Sequence, residues 1–127
     1  MSFTNFLETE ILDHVFGGNA YSAPATLYVG LFTAVSDAEA GTATEVSGGG
    51  YARQSAAFTV SGNTASNSAS IEYPTATASY GTVTHVGIYD ASTGGNLMCT
   101  ASLTASKAID TGDVFRIPTG DLDITLD

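Results

Sequence analysis

The hydrophobic positions change period once along the chain. From Ser2 to Phe16, Phe3, Phe6, Leu7, Ile11 and Val15 recur at the i, i+3, i+4 spacing of an amphipathic helix. Gly17 and Gly18 follow at once, where a helix C-terminus favours glycine. Such a helix would be about 22 Å long at ~1.5 Å per residue, near the length at which isolated helices are marginal. It therefore needs a surface to lean on. Leu12 and Phe16 fall towards the opposite side of this stripe. Either they mark the margin of a helix packed on its own sheet, or they form a second face that touches another subunit. Phe3, Phe6, Leu7, Ile11, Leu12 and Phe16 are accordingly the candidate assembly contacts.

Beyond Gly18 the period falls to two. Leu27, Val29 and Leu31 alternate with Tyr28, Gly30 and Phe32, so both faces are apolar and the strand is predicted to be covered on each side. Ala34 to Gly50 carries Asp37, Glu39 and Glu45 and ends in three glycines, which predicts a long, mobile surface loop. Tyr51 to Val60 reads as one strand closed by the turn Ser61-Gly62-Asn63, followed by a loop to Ser70 and a short strand at Ile71 to Tyr73. Thr82 to Asp90 places Val83, His85, Gly87 and Tyr89 on one face, with Thr84, Val86 and Ile88 on the other. Leu97, Cys99, Ala101 and Leu103 are predicted to share an inner face, and Val114 to Ile117 forms a further strand. In the final LDITLD, Leu122, Ile124 and Leu126 point inward, with Asp123, Thr125 and Asp127 outward. About seven strands at this spacing predict a mainly β, jelly-roll-like antiparallel β-sandwich with one N-terminal α-helix. Residues 1–127 make one sandwich domain, with 1–18 as a helical arm and 34–50 as an acidic, Gly-rich surface loop.

Composition narrows the partners. The net charge is −10, and the only cations are Arg53, Lys107 and Arg116. Nucleic-acid binding runs on clustered Lys and Arg, and an anionic membrane surface attracts the same charges. Both partners are disfavoured. One cysteine, Cys99, forbids an internal disulfide and sits in an apolar stretch where burial is its default role. The N-terminus lacks the basic and apolar regions of a signal peptide, so synthesis and folding in a cytoplasm are expected.

Candidate chemistry is sparse. The two histidines are His14, which can meet Glu10 one helical turn earlier, and His85, in mid-strand. No G-x-S-x-G elbow, zinc spacing or EF-hand loop occurs, although Asp110, Asp113, Asp121 and Asp123 lie near turns. Gly48 to Gly50 precede a tyrosine and not a lysine, so no phosphate loop is present. These patterns predict no catalytic residue, no cofactor and no metal.

The segments MSFTNFLETEILDHVFGG, APATLYVGLFTA, GGGYAR, TVTHVGIYDASTGGNL and LDITLD resemble a family of small virion proteins of tailed bacteriophages. Its members are commonly labelled tail fibre or minor tail proteins, and proteins of this general look also serve as head cement. The resemblance implies a structural particle protein without a catalytic site. Acidity suits the outside of a shell, which favours a capsid cement (decoration) protein binding the major capsid protein. A tail fibre, baseplate or minor tail protein docked on a neighbouring virion protein is the alternative, and self-association is expected in either setting. A third reading is a carbohydrate-binding sandwich that stacks sugars on Tyr21, Tyr28, Tyr51, Tyr73, Tyr80 and Tyr89.

Overall fold

In the computed structural model, which describes residues 1–126, the chain opens with a strand. β1 (Ser2–Phe3) pairs antiparallel with β9 (Leu97–Ile109), Phe3 lying opposite Cys99. Helix α1 spans Asn5–Val15, so it begins later than its apolar period suggests. Thr4 is the reason. Its backbone is extended, its hydroxyl accepts the Leu7 N–H and donates to the Leu97 carbonyl at 2.7 Å, and the residue is buried. Cap and sheet contact are thus one side chain.

The principal sheet runs β1-β9-β8-β2-β3, with β8 at Gly81–Tyr89, β2 at Leu27–Asp37 and β3 at Thr42–Glu45. β4 (Gln54–Ala56) pairs with the first residues of β2 on the side that β3 occupies farther along. The opposing layer is smaller and consists of two sheets. One joins β5 (Phe58–Ser61), β6 (Thr64–Asn67) and β11 (Asp123–Thr125); the other joins β7 (Ile71–Glu72) and β10 (Arg116–Ile117). Val29, Leu31, Val86, Ile88 and Cys99 of the principal sheet meet Ile71, Tyr73, Phe115, Ile117 and Leu122 in one apolar core. The architecture is a mainly β, antiparallel sandwich with one N-terminal helix.

β2 is covered on both faces, as its double apolar pattern predicts. Val29 and Leu31 enter the core, while Phe32 is equally inaccessible on the reverse face. There the β2–β3 hairpin curls back towards the helix, its Glu39 carbonyl accepting the Asn5 N–H at 2.8 Å, and Gly41 approaches Thr4 and Leu97.

The predicted loop from Ala34 to Gly50 is therefore overturned over most of its length. β2 continues to Asp37 and β3 returns to Glu45, with Val35 opposite Ala43. Its small and polar residues hide a strand pattern, because pairing and β-branched Val and Thr support the ladder without a run of large apolar residues. Tyr51 to Val60 is likewise two strands in two different sheets, and Gly62 to Ser70 contains β6. Register shifts explain two further corrections. One between Val83 and His85 turns Val83 into the core beside Val86, and another at Tyr89 pairs that residue with Leu97, taking Leu97 off the face that Cys99 shares with the core. In the C-terminal segment Leu122 is buried, but Leu126 is 55% exposed because the small sheet ends beneath it. The outward orientation expected of Asp127 lies outside the described residues.

Gly87 marks the tightest packing between β8 and its neighbours. A Cβ there would sit 2.5 Å from the Phe32 ring and 2.9 Å from Leu97. Gly87→Ala should cost about 1–3 kcal/mol, the range of overpacked cores, and lower the melting temperature by several degrees. An unchanged melting curve would show that Phe32 can move aside.

Candidate assembly surface

The six candidate contacts separate into two groups. Phe3, Phe6 and Leu7 pack against the protein's own core, and Ile11 is half-buried. Leu12 is 59% exposed and Phe16 82% exposed, and Val15 joins them at 61%. At about 100° per residue, Glu8, Leu12, Val15 and Phe16 fall on one outward stripe. Val15, which the apolar period assigns to the inward stripe, is thus an outward residue. The cause is where the helix rests: α1 lies against β1 and β9, its Asn5 is held by the β2–β3 hairpin, and Thr4 ties its first turn to the Leu97–Met98 end of β9. Past Ile11 it has no sheet beneath it.

The far end of the arm is folded back by His14, although not through Glu10 as predicted. The Tyr21 N–H donates to His14 Nδ1 at 3.1 Å, and the Asn19 side chain donates to Asp13 at 2.8 Å. The turn at Gly17 and Gly18 brings the Tyr21 N–H back over the last helical turn, within reach of His14.

Behind this surface lies a polar knot that the hydrophobic pattern does not announce. β2 loses its outer neighbour between β4 and β3, which leaves Leu31 without a ladder partner on that side. The Tyr51 hydroxyl accepts the Leu31 N–H at 3.0 Å, and the Val46 N–H donates to the Leu31 carbonyl at 2.9 Å. Tyr51 in turn donates to Glu45 Oε2 at 2.6 Å. Arg53 grips the same carboxylate with Nε at 2.8 Å and Nη2 at 2.9 Å, a bidentate pair. Its Nη1 donates to the Ala91 and Gly94 carbonyls at 2.9 and 2.8 Å, and the guanidinium lies 3.3 Å over the Tyr89 ring. Gly30 leaves room for all this, since a Cβ there would sit 3.0 Å from Glu45 and 3.3 Å from the Tyr51 hydroxyl.

Electrostatics in the knot follow from that geometry. Burial, reinforced by the Glu45 hydrogen bond, pushes the Tyr51 phenol well above its ordinary range. The Glu45 carboxylate holds Arg53 more firmly protonated against the effect of burial. In the adjoining loop, burial would raise Asp90, but the Asn96 backbone and side-chain donors at 2.7 and 2.9 Å outweigh it and hold the carboxyl low. Glu45, placed by its sequence in a mobile loop, is instead an anchor.

The remaining chemistry is structural. His85 faces Ser102 across β8 and β9, yet its Nδ1 contacts the Thr84 hydroxyl at 2.7 Å and, among the described residues, no carboxylate orients it. Cys99 is buried, which pushes its thiol up to about 12. Among the described residues no group of His, Cys, Asp and Glu is placed to hold a metal. The tyrosines do not form one sugar-stacking face: Tyr73 and Tyr80 are buried, and Tyr51 stacks on Tyr73 at 6.1 Å.

Two outcomes follow for the knot. Removing one partner of a buried pair costs about 3–5 kcal/mol, and Glu45 retains 23% side-chain exposure, so Arg53→Met should cost somewhat less. Adding Glu45→Gln to that variant should restore part of the loss in urea unfolding; a double variant no more stable than the single would mean that the charge of Glu45 is not what makes the loss. Secondly, the raised phenols of Tyr51 and Tyr73 keep their protons in the folded state while unfolded tyrosines lose theirs near pH 10. Their contribution is therefore intact below about pH 10 and falls as pH rises beyond it. Tyr51→Phe should flatten that alkaline decline in the unfolding midpoint.

The fold and the knot join segments that the sequence resemblance singles out. Gly30 and Leu31 come from APATLYVGLFTA in β2, Tyr51 and Arg53 from GGGYAR, and Tyr89 and Gly94 from the β8–β9 hairpin. Residues 2–125 match the family model described as Podophage GP4 fiber I protein gp80. No curated protein matches the chain. The match spans all of the segments that make the knot as well as the helical arm, and by it the chain belongs to the podophage GP4 fibre I protein gp80 family, small virion proteins of the fibre type.

Proposed function

We propose that this protein is a non-enzymatic fibre component of a tailed-phage particle, attached to neighbouring virion proteins through the outward stripe of α1. The family match supports the fibre reading over capsid cement, the reading that acidity and the shortness of the chain favour. The observation that carries attachment is the run Leu12, Val15 and Phe16, with 59%, 61% and 82% of their surfaces open to solvent. Val15 and Phe16 lie one helical turn beyond Leu12, and large apolar side chains exposed together on one side of a helix commonly mark a docking surface. His14 accepts a backbone N–H and His85 contacts a threonine hydroxyl, contacts that support structural roles for both.

Leu12→Ser with Phe16→Ser should leave stability within about 0.5 kcal/mol, as surface changes do, yet strip the protein from purified particles as measured by mass spectrometry. Deleting the protein should yield DNA-filled heads of unchanged heat stability and particles that adsorb poorly. Heads that burst at lower temperature would favour the cement reading instead, and full retention of the serine variant would remove α1 from the attachment surface.

A further inference from the structure

A second unpartnered feature lies away from the helix. An open groove of about 620 Å³ runs between the outer side of β9, from Leu103 to Ile109, and the segment from Asp113 to Pro118 that contains β10. β1 covers β9 only at Cys99 and Thr100; among the described residues the stretch beyond pairs with no strand but β8, and that ladder passes from Ser102 directly to Lys107. Leu103 and the 46%-exposed Val114 supply apolar wall. Lys107 and Arg116 both line the groove, and among the described residues neither has an ion-pair partner. Two acidic groups share the lining: Asp113, whose carboxylate already accepts the Asp110 N–H at 2.8 Å, and Asp121.

The charge inventory makes this groove unusual. Of the three cations in a chain of net charge −10, Arg53 is committed to the knot and the other two stand here. The outward stripe of α1 has the complementary character, since Leu12, Val15 and Phe16 are preceded one turn earlier by the exposed Glu8. None of these helix residues lines the groove of its own chain, and α1 rests at the Leu97–Met98 end of β9.

We propose that the α1 stripe of one copy seats in the β9–β10 groove of the next, Leu12, Val15 and Phe16 against Leu103 and Val114, with Glu8 towards Lys107 and Arg116. The contact joins two different surfaces, so it is head-to-tail and builds an open chain, not a closed two-fold dimer, and the copy at one end keeps its stripe free for the neighbouring virion protein. Three apolar side chains fall short of the roughly 1,200 Å² of a stable interface. Each contact is therefore weak, and repeats of it form only at high local concentration, as where copies gather on one particle. The inference rests on the fibre reading only for why such repetition occurs.

The test uses the purified full-length protein in sedimentation over a concentration series, with circular dichroism to verify folding. The unaltered chain should associate reversibly beyond the dimer. A helix variant (Leu12→Ser, Phe16→Ser) and a groove variant (Lys107→Glu, Arg116→Glu) should each weaken association at least about tenfold, or about 1.4 kcal/mol. Mixed together, they retain one intact stripe and one intact groove, and should form heterodimers that grow no further. If the glutamate variant fails to fold, Lys107→Ser with Arg116→Ser replaces it. A chain that stays monomeric throughout, a groove variant that associates normally, or a mixture that stays monomeric would overturn the proposal. Those results leave attachment to particles standing, because attachment is read on particles and this contact in free solution.

Discussion

The Arg53–Glu45 pair is the interaction on which the rest of the structure depends. It sits where the principal sheet is discontinuous, between the end of β4 and the end of β3, and there Leu31 would otherwise face the outside with unpaired backbone groups. Tyr51 and Val46 take those groups, and Glu45 and Arg53 hold Tyr51 in place. A buried ion pair is weak support for stability by itself, because desolvation offsets much of its attraction. Its value here is positional. One guanidinium joins the carboxylate of β3, the ring of Tyr89 and two loop carbonyls, fixing three segments that have no ladder in common.

That fixation has a consequence for the far side of the molecule. With β2, β3 and the β8–β9 loop locked together, the β2–β3 hairpin is held over Phe32 and Leu97, and Thr4 can bury its hydroxyl against the end of β9. The helix is consequently pinned firmly at one end and unsupported at the other. A helix of this length borrows its stability from packing, so Phe6 and Leu7 act as the hold while Leu12, Val15 and Phe16 are left free to contact something else. The same short helix serves fold and surface because its two halves have different neighbours.

How much of this was legible in the sequence depends on the kind of signal involved. Apolar alternation identified β2, β8 and β9 and the sandwich class, because large residues on both faces of Leu27 to Phe32 leave few alternatives. It failed from Ala34 to Glu45, where small and polar residues form a hairpin whose apolar support comes from Thr4 and Leu97, far away in sequence. It also failed at the phase of Val83 and Leu97, since a bulge inverts alternation without leaving a mark in composition. The knot was invisible for another reason: Glu45, Tyr51, Arg53 and Tyr89 are unremarkable singly, and only pairing across strands brings them together. The rarity of cations offered the one clue, as each of three arginines or lysines in so acidic a chain has a disproportionate role. On the helix, an opposite-side position for Leu12 and Phe16 was readable from spacing, whereas the exposure of Val15 follows from where the sheet ends.

Acidity then takes on a meaning that composition alone did not provide. Two copies carrying −10 each repel one another, but at physiological ionic strength that repulsion fades within about 8 Å. Most mutual orientations bring carboxylates together at close range and are penalised there. The proposed orientation, which sets an apolar stripe against Lys107 and Arg116, lessens the penalty, so repulsion elsewhere selects among contacts without contributing attraction. Affinity must then come from the apolar side chains, and selectivity from where Lys107 and Arg116 stand. A chain with more lysine and arginine spread over its surface would associate in more ways and assemble less uniquely. In the proposed contact, scarcity of positive charge, with one cation committed to the knot and two to a single groove, is thus a means of specifying which face meets which.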